Sequence, residues 1–479
     1  MGTVHKTPGE EAFENVPGSA VRSFEAAFAG DVIRPSDPAY DEDRRVWNGM
    51  IDRYPAIVAR CTGVADVVAA VDFARDQGLP LTVRGGGHNV AGTAVRDGGL
   101  VVDLEPMNGV RVDPDERTVR VEGGATLGDV DRETQLFGLA TPLGAVSQTG
   151  VAGLTLNGGY GHLSREYGLS LDTLRSVDVV TADGRVRTAS EDENADLFWG
   201  IRGSGGALGV VTSFEFDCYE VGPEVAVLFA WFHADDTDAV FERYLEWTAE
   251  GPREAGVLAF TAHVPPLEEF PEEQWGEPAV AMLGSYRGDP APADAEGVFE
   301  PLLTAATPIA DFSGPMPFVD LQSMLDEDYP DGLRYYWKSI YLEAVTEDVR
   351  DLMIRYNEAS PSPLSTIDLW HLDGAVADVP QDATAFWHRD KPYMLTVEAN
   401  WEDPADDDAN VAWARDAIAD VGALSVAAGR YGNFPGLNEE DDPARATFGD
   451  NYERLVDVKT EYDPENVFRT RASVPPRTA

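Results

Sequence analysis

Backbone without side chains constrains this chain most, because its glycines concentrate in three short stretches. Residues 83–92 read VRGGGHNVAG, so Gly85, Gly86 and Gly87 follow an apolar run and give way at once to His88. Residues 149–169 read TGVAGLTLNGGYGHLSREYGL, with Gly150, Gly153, Gly158, Gly159 and Gly161 packed too densely for a helix and too closely for an ordinary strand. Residues 196–216 read DLFWGIRGSGGALGVVTSFEF. Successive residues free to take positive φ let backbone N–H groups converge on an anion, and missing Cβ atoms let a ligand or a second backbone come close. On its own residues the first stretch fits a phosphate-cradling loop or a plain glycine turn. The second suits backbone lying against a flat ligand. The third is not a dinucleotide fingerprint: after Gly203 and Gly205 the last glycine of G-x-G-x-x-G falls on Leu208, and no acidic residue follows on a next strand. That argues against a nicotinamide-dependent dehydrogenase.

At 479 residues the chain exceeds one ordinary core, and a hydrophobic share of 43% supplies the apolar surface for a globular protein. Charge excludes more than it suggests. With 85 Asp and Glu against 36 Lys and Arg the formal net charge is −49, so no basic footprint exists for nucleic acid or an anionic membrane. Lysine occurs only at Lys6, Lys338, Lys391 and Lys459, a balance that resembles proteins of extreme halophiles, whose self-repulsion is screened by salt. The N-terminal stretch carries no apolar signal core and no run is long enough to span a bilayer, which predicts a cytoplasmic protein. Cys61 and Cys218 are expected as buried small residues rather than a disulfide, and His371 and His388 form no metal-ligand spacing, so no metal is expected.

Periodicity predicts an α+β chain in four parts: a leader over 1–39, a glycine-rich domain over 40–222, a second domain over 223–429 and a closing segment over 430–479. In the first domain Val67, Val68, Val71 and Ala74 recur at helical spacing before Gly78, a helix starts near Thr126, and SVDVVTADGRVRTAS forms a hairpin about Asp183 and Gly184. In the second, strands such as EVAVLFAWF and YMLTVEANW alternate with helices such as DTDAVFERYLEWTAE, which predicts an antiparallel sheet covered by helices on one face.

Taken in series, the three glycine stretches and the closing NYERLVDVKTEYDPENVF resemble the berberine-bridge-enzyme-like branch of the vanillyl-alcohol-oxidase flavoproteins. The resemblance implies a PCMH-type FAD-binding domain of two subdomains, a substrate domain, and FAD as cofactor. It further implies that His88 is bonded through a ring nitrogen to the flavin 8α carbon. Arg84, Gly85, Gly86, Gly87, Asn89 and Gly92 would then serve the FAD from the first loop, and Gly144, Ser147, Gly150, Gly153, Leu154, Gly158, Gly159 and Gly161 from the second. Gly209, Val210 and Val211 would serve it from the third. The implied activity is hydride removal from a C–H next to a hydroxyl or amine of a small organic substrate, a sugar, alcohol or cyclic amine, with electrons passing to oxygen or another acceptor. A flavin-binding protein without turnover is the alternative.

The chain also departs from the family. Members with a second, cysteinyl flavin link carry Cys where Val146 stands, so one link is expected; Thr149 occupies a position that otherwise separates oxidases from dehydrogenases. Ala207 replaces an Asn, and Arg471 and Ala472 replace an Asn-Gln pair. For the base, the Y-x-N-[YF] stretch here is YGNF, which nominates Tyr431 with Asn433 beside it and leaves Phe434 unable to take a proton; Tyr160 is the second candidate. Tyr336, Lys338, Trp387 and His388 are expected to contact substrate from the second domain.

Overall fold

A computed structural model describes residues 6–288, 292–436, 443–469 and 474–477. Its first sheet joins β1 (Asp31–Ile33), β2 (Ile57–Arg60), β3 (Leu81–Arg84) and β4 (Leu100–Asp103) in the order β1-β2-β4-β3. The pairs β2·β4 and β3·β4 are parallel, and the crossover between β2 and β3 is helix α1 (Val64–Gln77), ended by Gly78 in the left-handed region at φ +67°. The stretch before residue 40 is not a separate leader. Its helix Gly18–Ala27 stacks Phe24 on Phe73 of α1, and β1 extends the first sheet, so its apolar residues complete that core.

The second sheet is antiparallel, β5 (Val110–Asp113), β6 (Thr118–Glu122), β7 (Leu174–Val180), β8 (Val186–Ser190) and β9 (Val210–Asp217), in the order β5-β6-β9-β7-β8. The expected hairpin is β7·β8. The dense glycine stretch contains a helix after all, Val151–Leu156, because Gly150 precedes it and Gly158 and Gly159 follow it, leaving only Gly153 inside.

A nine-stranded sheet forms the other half. Its six long strands are β10 (Glu224–His233), β11 (Ala255–His263), β12 (Pro278–Tyr286), β13 (Arg334–Leu342), β14 (Thr366–His371) and β15 (Tyr393–Trp401), ordered β10-β12-β11-β14-β15-β13 with antiparallel pairing throughout. Helices α2 (Thr237–Glu250), α3 (Glu347–Glu358) and α4 (Asp407–Gly422) cover one face through Tyr244, Met353, Trp413 and Ile418. Strand alternation sends every second residue to the opposite, uncovered-by-helix face, and that face closes over the first two sheets. Helix α5 (Tyr452–Tyr462) and the bridge from Phe468 to Leu81 return the chain to its beginning. No helix among the described residues is long and apolar enough to cross a membrane.

Candidate active site

Two glycine segments meet before any ligand is considered. A Cβ on Gly86 would lie 2.5 Å from the Gly150 nitrogen, and one on Gly150 would lie 2.3 Å from the Gly86 nitrogen, so the backbones cross in contact. Gly161 and Gly159 are equally crowded, by the Leu143 carbonyl at 2.0 Å and the Ser170 hydroxyl at 2.2 Å. These glycines are required by protein packing. Gly153 differs: nothing lies within 4 Å of its Cβ position, and it opens onto a cavity.

That cavity, about 920 Å³, lies between the crossed segments and the uncovered face of the nine-stranded sheet. It is at the large end of the range of about 300 to 1,000 Å³ found for ligand sites. Of the expected flavin contacts, Gly85, Gly86, Gly87, His88, Asn89, Gly144, Gly150, Gly153, Leu154, Gly209 and Val211 line it. The others lie behind its wall. Arg84 is buried and bidentate to Asp103, at 3.0 and 2.7 Å; Ser147 donates its N–H and hydroxyl to Asp326; Gly92 packs on Ile51; Val210 sits in the first sheet's core. Gly158 faces the rings of Phe386 and Tyr431, and the Gly159 N–H donates to the Tyr431 hydroxyl.

His88 is half-buried, its Nε2 is shielded with no hydrogen-bond partner among the described residues, and its ring stacks on Trp47 at 4.0 Å. Burial pushes its pKa down to about 4, so the imidazole is neutral at pH 7 with a free lone pair. Val146 and Thr149 line the same cavity.

The sheet side forms a chamber. Leu258, Trp337, Asp368, Trp370, Met394 and Glu398 reach it from adjacent strands, Tyr329 from the segment before β13, and Tyr431 and Phe434 from the closing segment. Asp368 and Glu398 are hydrogen-bonded to each other, Thr396 bridges them at 3.5 and 3.3 Å, and the Tyr329 hydroxyl donates to Glu398 at 3.0 Å. Burial raises both carboxyls, and the neighbouring Asp368 raises Glu398 further, so the pair retains a proton at neutral pH. Tyr431 accepts from the Gly159 N–H at 3.2 Å and from Asn433 Nδ2 at 2.9 Å. Burial raises its phenol above the usual value, and those donors offset part of the rise. Tyr160 also lines the chamber, donating to the His371 carbonyl at 2.5 Å.

The expected substrate contacts are elsewhere. Tyr336 and Lys338 share the helix-covered face of β13, where Tyr336 accepts from Arg415 Nε at 2.9 Å. Trp387 packs over Gly449, and His388 faces Tyr341 and pairs with the Ala446 carbonyl at 2.7 Å. The neighbouring residues on the other face, Trp337 on β13 and Asp368, Trp370 and Glu398 on β14 and β15, line the chamber instead. Polar Thr396, Glu398 and Asn400 recurring at every second position of YMLTVEANW are the signal that marks them. Arg471 and Ala472 lie outside the described residues.

A cleft walled by crossed glycine segments on one side and by an antiparallel sheet on the other, with a neutral histidine on the glycine side, fits a flavin-dependent oxidoreductase of the PCMH type. Comparison agrees. A family model described as FAD binding domain matches residues 55–190, and one described as berberine and berberine like matches 430–475. The chain is 30% identical over 457 residues to the uncharacterized FAD-linked oxidoreductase YgaK of Bacillus subtilis, covering 94% of this chain and 97% of the relative. It is 42% identical over 195 residues to (R)-6-hydroxynicotine oxidase of Paenarthrobacter nicotinovorans, covering 41% and 43%. The crystal structure of 6-hydroxy-D-nicotine oxidase from Arthrobacter nicotinovorans superposes with a TM-score of 0.83 at 27% identity, over 94% of this chain and 98% of that one. The chain belongs to the berberine-bridge-like family of FAD-linked oxidoreductases.

Proposed function

We propose that this enzyme oxidises a small organic molecule at a C–H bond next to a hydroxyl or amine, with FAD held covalently by His88 and with Tyr431 taking the substrate's O–H or N–H proton. The observation that carries the reading is the single cavity. One continuous space has His88 and open Gly153 on one wall and titratable groups among aromatic rings on the other. The residues fit the flavin: bare backbone at Gly85, Gly87 and Gly153 offers close approach, and the neutral His88 imidazole offers a nucleophile. Bound there, FAD supplies a two-electron acceptor for the hydride.

The chain's own groups do the rest. Trp337, Trp370 and Phe434 confine the substrate and exclude water, and Tyr431 offers an oxygen already facing two N–H donors, an arrangement that favours its anionic form. A second reading is favoured by Phe434, which leaves the stretch one phenol, and by the raised Tyr431 pKa: the Asp368 and Glu398 pair takes the proton instead.

The test is anaerobic. Purified protein mixed with a panel of cyclic amines, secondary alcohols and oligosaccharides should have its flavin absorbance bleached by at least one class. An unbleached flavin across the panel would support a flavin-binding protein without turnover.

A further inference from the structure

We propose that Trp47 is the positioning residue for the flavin tether: clamped between Tyr335 and the His88 ring, its indole fixes the plane of an imidazole that lines the cavity. The inference rests on the reading that His88 carries the flavin. The three rings form one stack, His88 on Trp47 at 4.0 Å and 18°, Trp47 on Tyr335 at 3.7 Å and 12°.

Trp47 is itself immobilised from both sides. Its Nε1 donates to the Tyr329 carbonyl at 2.8 Å, and its carbonyl accepts from the Gly332 N–H at 2.9 Å. Next to it Asn48 donates to the carbonyls of Val90, at 2.6 Å, and Tyr335, at 2.8 Å, tying the loop beyond His88 to β13. Arg84, at the start of the glycine loop, donates to the Arg45 carbonyl at 3.1 Å. The glycines before His88 cannot supply such restraint, since they have no side chains to pack. A ring on a bare loop needs an external face to hold it, and orienting a nucleophile removes rotational freedom before the bond forms.

In the tethering step the imidazole N–H and one 8α C–H are replaced by one nitrogen–carbon bond. Two protons and two electrons are released, and dioxygen takes both, leaving as hydrogen peroxide. The burial that keeps His88 neutral preserves the lone pair this bond needs.

Full-length protein made under riboflavin limitation is loaded with FAD, and the flavin that stays with the polypeptide after acid precipitation is followed over time. Trp47→Leu should bind FAD at the wild-type stoichiometry, read by ultrafiltration, yet tether it about tenfold more slowly or worse, while Trp47→Phe, which keeps a stacking face, stays within about threefold of wild type. Tethering by Trp47→Leu at the wild-type rate overturns the proposal, as does equal slowing in Trp47→Phe, which would indicate lost bulk rather than lost stacking. If Trp47→Leu does not fold, Tyr335→Leu removes the backing ring with Trp47 in place, and a wild-type rate there overturns the clamp. Wild-type protein that releases all its flavin refutes the His88 tether itself, a result separable from every variant outcome.

Discussion

Residue by residue, the chemistry turns on which group loses its proton first. The two candidates separate by pH. Burial raises Asp368 to about 7 and raises the Tyr431 phenol above its usual 10, so if Asp368 accepts the proton, the rate of anaerobic flavin bleaching rises to a plateau below pH 10; if Tyr431 accepts it, the rate is still rising there. Tyr431→Phe is expected to slow bleaching by about 10² to 10⁴, the range for loss of a general base, and Asp368→Asn by less than tenfold; the reverse ranking moves the role to the carboxyls. His88 gives a stability prediction for flavin-free protein. Its folded pKa, about 4, lies below the ordinary value of 6.5, so the unfolded chain takes up the proton first. The stability is therefore fully present above about pH 6.5 and is lost as pH falls toward 4, by on the order of 3 kcal/mol, and His88→Asn should flatten denaturation midpoints across that window.

At the scale of elements, crossed backbones and buried ion pairs hold the flavin side together. Gly150→Ala forces a methyl into the Gly86 backbone and should destabilise by about 1 to 3 kcal/mol while lowering flavin content, read by melting temperature and absorbance ratio; unchanged values would show that the segments can part. Lys459 on α5 is buried with Asp463, and its Nζ donates to Asp463 at 2.6 Å and to the carbonyls of Ala207 and Phe468 at 2.7 Å each. Lys459→Met strands a buried carboxylate and unties the Ala207 turn, so it should cost about 3 to 5 kcal/mol. Scarcity of lysine does not by itself mark function: Lys391 pairs at the surface with Glu343 and Asp390, whereas Lys338 and Lys459 are both buried. The glycine stretches, the hairpin, α1 and the helix-covered sheet were legible because turn chemistry and periodicity mark them locally. The chamber was not, because both faces of β13 are buried: YYWKSIYL has no polar phase, so Tyr336 and Trp337 are equivalent until the covering helices are known.

For the whole molecule, a formal charge of −49 opposes compaction, and the ion pairs on the surface are outnumbered by unscreened carboxylates. The distance over which charges repel shrinks from about 10 Å at 0.1 M salt to about 3 Å at 1 M. Melting temperature should therefore climb steadily with potassium chloride across that range, and a flat response would show that self-repulsion does not limit this fold. The large share of Arg over Lys does not alter this expectation, since both carry the same charge. What joins the scales is the claim that the crossed glycine loops exist to present His88 to a flavin facing the sheet chamber. The direct measurement is peptide mass spectrometry of the acid-denatured holoprotein. Flavin mass on the peptide that contains GGGHNVAG, at His88, is the result predicted; purified protein without flavin, or flavin bonded to any other peptide, would contradict the account.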